Sequence, residues 1–338
     1  MFATGLLAAV GCREDIQSPS SSPESGPATS IPDLAVAANS WTARAGMPDH
    51  HSKFAVGAAP NAAGQWIVYV FGGADEDGET GFNAAAYNVA TNTWSGVPNS
   101  FIDAADLNGV GKVGSRFYLT GGASCCDTDF RTYNTTEMYS LSTARLTFKA
   151  NMPRATKSGV TGVIKGQVYV LPGFCSGEST DPGHCLTSGP TRQLYRYDPA
   201  TNSWTTRRQA PRFHQFGAAA VINDKLYVVG GAGNPPVAAL DVYDPATNTW
   251  TTRAPIPTPG ERLFGAAIGS KFFVLSWSHP LGGAVVSKAF LYDPVTNTWK
   301  SRAAPPGGIA GPIVKVTLNG QPRLFLPGGF GPSYLYTP

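Results

Sequence analysis

Short apolar runs, each closing on small or turn-forming residues, recur along the chain from Phe54 to its end. Four of them finish in paired glycines: Ile67–Gly73, Phe117–Gly122, Leu226–Gly231 and Leu324–Gly329. Runs this short, rich in Val, Tyr, Phe and Leu and bounded by Gly, Pro, Asn and Asp, predict strands. Paired glycines at a strand end allow positive φ and close approach of neighbouring backbone. A second phrase, Tyr-Asp-Pro-x-Thr-Asn-x-Trp, is clearest at Tyr197–Trp204, Tyr243–Trp250 and Tyr292–Trp299. It reads as a hairpin: Tyr ends one strand, Asp caps the turn, Pro presets φ, Asn tolerates the left-handed conformation, and Trp opens the next strand. Tyr87–Trp94 is a looser copy, Asn39-Ser40-Trp41 a tail without its Tyr, and Tyr139–Phe148 a degraded copy with Phe148 in the expected Trp position. A period of about 50 residues is the mark of a repeat architecture.

Each period accommodates four short strands, in the fourth unit Gly217–Ile222, Lys225–Gly231, Ala239–Asp244 and Trp250–Arg253. The sixth unit offers Pro312–Leu318, Arg323–Gly329 and Tyr334–Thr337 but no Trp strand, while the N-terminal side carries an orphan one, Trp41–Arg44. The fragments complement each other, so a ring is expected to close by pairing Trp41–Arg44 with Tyr334–Thr337, which leaves only short protected edges. A strand ending in Gly-Gly, then a Tyr, then a Trp six or seven residues later resembles the kelch repeat, over roughly Asn39 to Pro338. The resemblance implies an all-β chain folded as a six-bladed kelch-type β-propeller with four-stranded antiparallel blades. It says little about function, because this fold hosts many. Pro172-Gly173 in unit three and Ser276-Trp277 in unit five replace the Gly-Gly pair.

With 39 Gly, 28 Pro and 14% charged residues in 338, the composition suits a turn-rich all-β protein. A net charge of +3 without any Lys/Arg run argues against nucleic acid as a partner. The start adds a different signal. Phe2–Gly11 is too short to span a bilayer but suits the apolar part of a signal peptide. Ala9-Val10-Gly11-Cys12 resembles the bacterial lipobox, although Ala9 stands where Leu is preferred and no Lys or Arg precedes the run. The expected organisation is a signal segment at 1–12 with lipidation at Cys12, a Ser/Pro-rich tether at 13–32 and a propeller at 33–338. The chain is thus expected to be an exported, lipid-anchored monomer of a bacterial cell envelope, touching membrane only through that anchor.

In such a propeller the loops after the Gly-Gly strands and those entering the innermost strands share one channel mouth. Long loops on a rigid scaffold are where binding concentrates. The entering loops bring His50, His51 and Lys53, then Arg154 and Lys157, then Arg212 and His214, then Glu261 and Arg262. Arg, His and one Glu suit an anionic or polyhydroxylated ligand, since Arg grips carboxylates with two donors. The same arginines would equally serve as braces between loops. Cys175 and Cys185 bracket the unit-three loop and are expected to form a disulfide, which an exported protein permits. Cys125-Cys126 leave three possibilities: a vicinal bond, a cross-link to that loop, or free thiols.

No His-Glu-x-x-His, Cys-x-x-Cys, Gly-x-Ser-x-Gly or Walker phosphate loop is present. The Tyr/Cys/His copper constellation of galactose oxidases, which also have kelch-like blades, finds no match, and Asp75–Glu79 lacks the spacing of an EF-hand. No metal or cofactor is expected. Two functions follow. One is a recognition module for a glycan or a protein at the mouth. The alternative is a sugar epimerase or mutarotase similar to bacterial N-acetylneuraminate epimerases, with Glu261 as acid/base and Arg212 and Arg262 holding a carboxylate.

Overall fold

The computed structural model describes residues 38–338 except 50, 78, 125–130, 176–187, 234 and 280–284. The lipidation candidate Cys12, the tether, His50, Cys125, Cys126 and Cys185 lie outside the described residues. The unit from Ala37 to Pro338 is a ring of six four-stranded antiparallel sheets. After β1 (Ser40–Arg44), blade I is built from β2 (Ala55–Pro60), β3 (Trp66–Phe71), β4 (Ala85–Asn88) and β5 (Thr93–Gly96). Blade II holds β6 (Val110–Val113), β7 (Arg116–Thr120), β8 (Thr136–Ser140) and β9 (Arg145–Phe148). Blade III holds β10 (Val160–Ile164) and β11 (Gln167–Leu171), then a small hairpin of β12 (Phe174–Cys175) and β13 (Gly189–Pro190), then β14 (Tyr195–Asp198) and β15 (Ser203–Thr206). Blade IV runs β16 (Ala218–Ile222), β17 (Lys225–Val229), β18 (Leu240–Asp244) and β19 (Thr249–Arg253). Blade V runs β20 (Arg262–Ile268), β21 (Lys271–Ser278), β22 (Val286–Asp293) and β23 (Thr298–Arg302). Blade VI has β24 (Val314–Leu318), β25 (Gln321–Leu326) and β26 (Ser333–Thr337), completed by β1.

The ring closes as expected. Strand β1 pairs antiparallel with β26, Trp41 opposite Tyr336 and Arg44 opposite Ser333. The innermost strands meet in cyclic order β2, β6, β10, β16, β20, β24 and back to β2. Crowding near the axis selects small residues there. A Cβ on Gly57 would lie 2.6 Å from the Phe117 ring, and one on Gly162 would lie 2.6 Å from Leu226 Cδ1, so each glycine seats a side chain of the following blade.

The Tyr-to-Trp phrase does more than turn the chain. In blade IV, Asn248 takes φ +54, its side-chain oxygen accepts Tyr243 Oη (2.8 Å) and the Arg208 N–H (3.0 Å), and Trp250 Nε1 donates to the Arg208 carbonyl (3.0 Å). Arg208 follows the outer strand of blade III, so Asn and Trp together hold both backbone groups of one residue in the preceding blade. The same clamp joins Asn92 and Trp94 to Ala45, Asn202 and Trp204 to Ala150, Asn297 and Trp299 to Ala254, and Asn39 and Trp41 to Ala303.

Blade II corrects the sequence reading. Tyr139 lies opposite Leu146, so Leu146 occupies the Trp position; Phe148 is two residues further on, opposite Glu137, and 72% exposed. The residue to be clamped is Pro98, which has no N–H to give. The Asn position is accordingly Ala144, at φ +50, Tyr139 Oη donates to the Pro98 carbonyl (3.2 Å), and Asn99 Nδ2 reaches the Ala144 carbonyl (3.2 Å). A second correction concerns blade V, where β21 runs on through Trp277 and pairs it with Arg262. Arg262 therefore opens a strand instead of sitting in a loop.

Candidate functional site: the loop-rich mouth

The loops entering the inner strands and those leaving the Gly-Gly strands do meet on one face. Ser52 bridges Ala74, Ala105 bridges Ala123, Lys157 bridges Phe174, and Ala232 N–H donates to Gln215 O (2.7 Å). Gly73, at φ +114, shows why glycine is needed at this crossing: a Cβ would sit 2.7 Å from the Ser52 carbonyl. Neighbouring entering loops are stitched to one another. Asp106 N–H donates to Lys53 O (2.8 Å), Ser158 to Asp106 (2.7 Å), Phe216 to Ser158 (2.8 Å) and Leu263 to Phe216 (2.8 Å). Lys53, Asp106, Ser158 and Phe216 all take positive φ at these links. A girdle of backbone hydrogen bonds thus runs from blade I to blade V and fixes the rim.

Two side-chain assemblies stand on that rim. The first is a ribbon of alternating cations and rings: Lys157 Nζ lies 5.1 Å from the Phe174 ring, Phe174 and Phe216 are 5.7 Å apart, and the Arg262 guanidinium lies 4.7 Å over Phe216. Phe174, Phe216 and Arg262 are half-buried, so the ribbon keeps an accessible side. Cations over ring faces are attracted by the ring quadrupole, and the half-buried Arg262 guanidinium keeps donors toward the surface.

The second is a brace. Asp241 is fully buried; its carboxylate accepts Arg212 Nη1 (2.6 and 2.8 Å), Thr252 Oγ1 (2.7 Å) and His214 Nε2 (3.1 Å). His214 Nδ1 lies 2.7 Å from the Gly230 carbonyl, so both ring nitrogens are engaged. Burial works to raise the Asp241 pKa, but the bonds from His214, Thr252 and Arg212 prevail and hold it below the usual carboxylate range. The geometry favours bracing for His214 and for one nitrogen of Arg212, whose side chain is still 40% exposed. Sequence reasoning missed Asp241. The signal was a charge two residues before the motif Tyr, where blades I, III, V and VI have Ala85, Tyr195, Phe290 and Tyr334 and blade II has Glu137.

The other candidates are spread around the rim. Arg154 Nη2 donates to Gly189 O (3.3 Å) and ties its loop to β13. Glu261 is exposed and accepts the His279 N–H (3.3 Å). His51 is buried beside Phe82, ring centroids 4.0 Å apart, next to the acidic loop of blade I. In that loop Asp75 Oδ1 accepts the Asp77 and Glu79 N–H groups. Cys175 is buried and disulfide-bonded. Among the described residues no group of three or more His, Cys, Asp or Glu side chains is placed to hold a metal.

A family model described as the KLHDC2/KLHL20/DRC7 Kelch-repeats domain matches residues 57–276. The chain belongs to the kelch-repeat family. Its kelch relatives include Kelch-like protein terF of Aspergillus terreus, 29% identical over 145 residues, 41% of this chain and 30% of that one. Kelch repeat and BTB domain-containing protein 12 of Danio rerio is 31% identical over 134 residues, 38% of this chain and 20% of that one. The F-box/kelch-repeat protein At1g26930 of Arabidopsis thaliana is 29% identical over 159 residues, 44% and 35% of the two chains. These matches span about a third or less of the curated relatives' own length. Among solved structures, that of YjhT superposes with a TM-score of 0.63 at 14% identity, covering 87% of this chain and 95% of that one, which is a likeness of fold.

Proposed function

We propose that this kelch propeller is a recognition module that takes its ligand, a protein segment or a glycan, at the mouth. Kelch propellers typically serve protein interaction, and the ribbon Lys157–Phe174–Phe216–Arg262 is the observation that carries the reading here. The half-buried rings offer stacking area and Arg262 a charged donor beside it, on a rim held by backbone hydrogen bonds before any ligand arrives. Arg262→Ala and Phe174→Ala test it, because neither side chain anchors a buried carboxylate. Saturation-transfer NMR against a panel of neutral and acidic sugars, with a parallel pull-down from envelope extracts, should show ligand capture by the native chain and its loss in both variants. Capture undiminished in folded variants would sink the mouth as the site.

The competing reading is a sugar epimerase or mutarotase working through Glu261, which stands exposed on this face directly before Arg262. The same spectra decide between them: accelerated anomer or epimer exchange that vanishes in Glu261→Gln would make the protein an enzyme.

Export and lipid anchoring through Cys12 belong to this proposal and rest on the apolar start and its lipobox-like end. Incorporation of a fatty-acid label that persists in Cys12→Ser would refute the anchor. The partner of Cys175 is proposed to be Cys185, and a non-reduced peptide map without that cross-link would refute the pairing.

A further inference from the structure

At the end of each blade away from the mouth, the start of the second strand faces the residue after the motif tyrosine. In blades IV and V this is an ion pair, Lys225–Asp244 (2.7 Å) and Lys271–Asp293 (2.8 Å). Those lysine hydrogen bonds are the first cause that holds both aspartates below the usual carboxylate range. In blade III, Gln167 bonds Asp198 in the same way. Blade I has neither charge, with Ile67 facing Asn88, and blade II departs in the opposite direction. The cation is kept as Arg116, the carboxylate is replaced by Ser140, and a second cation, Arg145, is added on the other side.

Arg116, Ser140 and Arg145 are consecutive partners across β7, β8 and β9, so all three side chains project from one face of the sheet. They line an open cavity of about 560 Å³ together with Met138, Ser142, Thr143 and Thr147, and among the described residues no carboxylate is in its wall. Ser140 Oγ and Ser142 Oγ are 3.1 Å apart, which gathers the hydroxyls at its floor. Among the described residues neither guanidinium enters an ion pair or hydrogen bond. Blade VI supplies an internal contrast. Its Arg323 stands beside Thr337, but the third position is Ser40, so only one guanidinium is present there.

Two like charges in one cross-strand row repel each other, and an anion between them turns that repulsion into attraction. We propose that this cavity on blade II is a binding site for a tetrahedral oxyanion, a phosphate or sulfate group, gripped by Arg116 and Arg145 and accepting hydrogen bonds from the hydroxyls of Ser140 and its neighbours. The ligand group takes the place of the aspartate that blades III, IV and V carry in their own chain. Planar two-pronged guanidinium donors on opposite sides, with hydroxyl donors below, match an anion with oxygens in several directions better than a flat carboxylate. The site is independent of the mouth and of the function proposed for it.

The test is calorimetric titration of the full chain with inorganic phosphate at constant ionic strength set by chloride, with sulfate and acetate as parallel arms. One saturable phosphate site is expected, with sulfate competing and acetate at least roughly ten-fold weaker. Arg116→Gln and Arg145→Gln should each weaken phosphate binding by roughly ten-fold or more, since each removes a charged donor. Ser140→Asp rebuilds the sister-blade ion pair; it should abolish phosphate binding and raise the melting temperature measured without phosphate. The assignment is overturned if the native chain shows no saturable binding, if either arginine variant binds as the native chain does, if Ser140→Asp retains the site, or if acetate competes as well as phosphate.

Discussion

Glu137 and Asp241 occupy the same place in their blades, two residues before the motif tyrosine, and their environments push them apart. Asp241 has Arg212, His214 and Thr252 about it. The entering loop of blade II has Ile102 and Ala104 at the corresponding places, neither of which has a side-chain donor to offer. Burial first, and the Asp103 charge second, raise its pKa to about 7. A carboxyl group raised above its unfolded value of roughly 4.3 contributes stability at low pH that is lost as pH rises toward 7. Glu137→Gln should therefore stabilise the protein by on the order of 1–3 kcal/mol at pH 8 and by nothing measurable at pH 4. Urea unfolding at the two pH values checks this, and an equal effect at both would contradict it. By the same residue-level logic Arg212→Ala is a poor probe of the mouth, because it strips a donor from a buried carboxylate at a cost of about 2–4 kcal/mol.

At the scale of the hairpin, the Asn-Trp clamp predicts where the phrase matters. Asn248→Ala places an alanine at a left-handed φ and removes the acceptor of both Tyr243 and the Arg208 N–H. A loss of about 1–3 kcal/mol is expected from denaturant midpoints. The reverse change in blade II, Ala144→Asn, should bring no more than about 0.5 kcal/mol, because Pro98 has no N–H to donate. A gain as large as the blade IV loss would show that the clamp does not depend on the residue it grips. The phrase was legible in the sequence as a turn, and its Asp and Asn behave as turn chemistry requires. Its partner in the preceding blade was not, since Ala45, Ala150, Arg208, Ala254 and Ala303 are gripped through their backbone N–H and carbonyl groups alone, which no side chain announces. The misplacement of Phe148 has the same origin: an aromatic residue is a good marker of the motif only where a clamp exists.

For the whole ring, closure rests on β1, which supplies the outer strand of blade VI and, through Asn39 and Trp41, the clamp on blade V. Removing the chain through Arg44 would leave β26 an open edge and the V–VI junction without its two backbone bonds. Such a truncation should melt at a temperature lower by about 5 °C or more and gain a tendency to associate, read by calorimetry and light scattering. A variant that melts like the full chain and stays monodisperse would show that the other three strands of the blade suffice for closure.

Periodicity and turn chemistry are local properties, and the sequence by itself determined the six blades, their four-strand make-up to within two or three residues and the pairing of the chain ends, though not the small β12–β13 hairpin. Tertiary structure decided what the polar groups do. The Arg212–Asp241–His214 brace, the ring of backbone bonds around the mouth, the cation–aromatic ribbon and the two guanidiniums of blade II all depend on which side chains meet across strands and loops distant in sequence. A charged residue in a strand looks the same in sequence whether it is satisfied or waiting for a ligand; only the packed structure shows that Asp241 already has its cation and that Arg116 and Arg145 have no anion among the described residues.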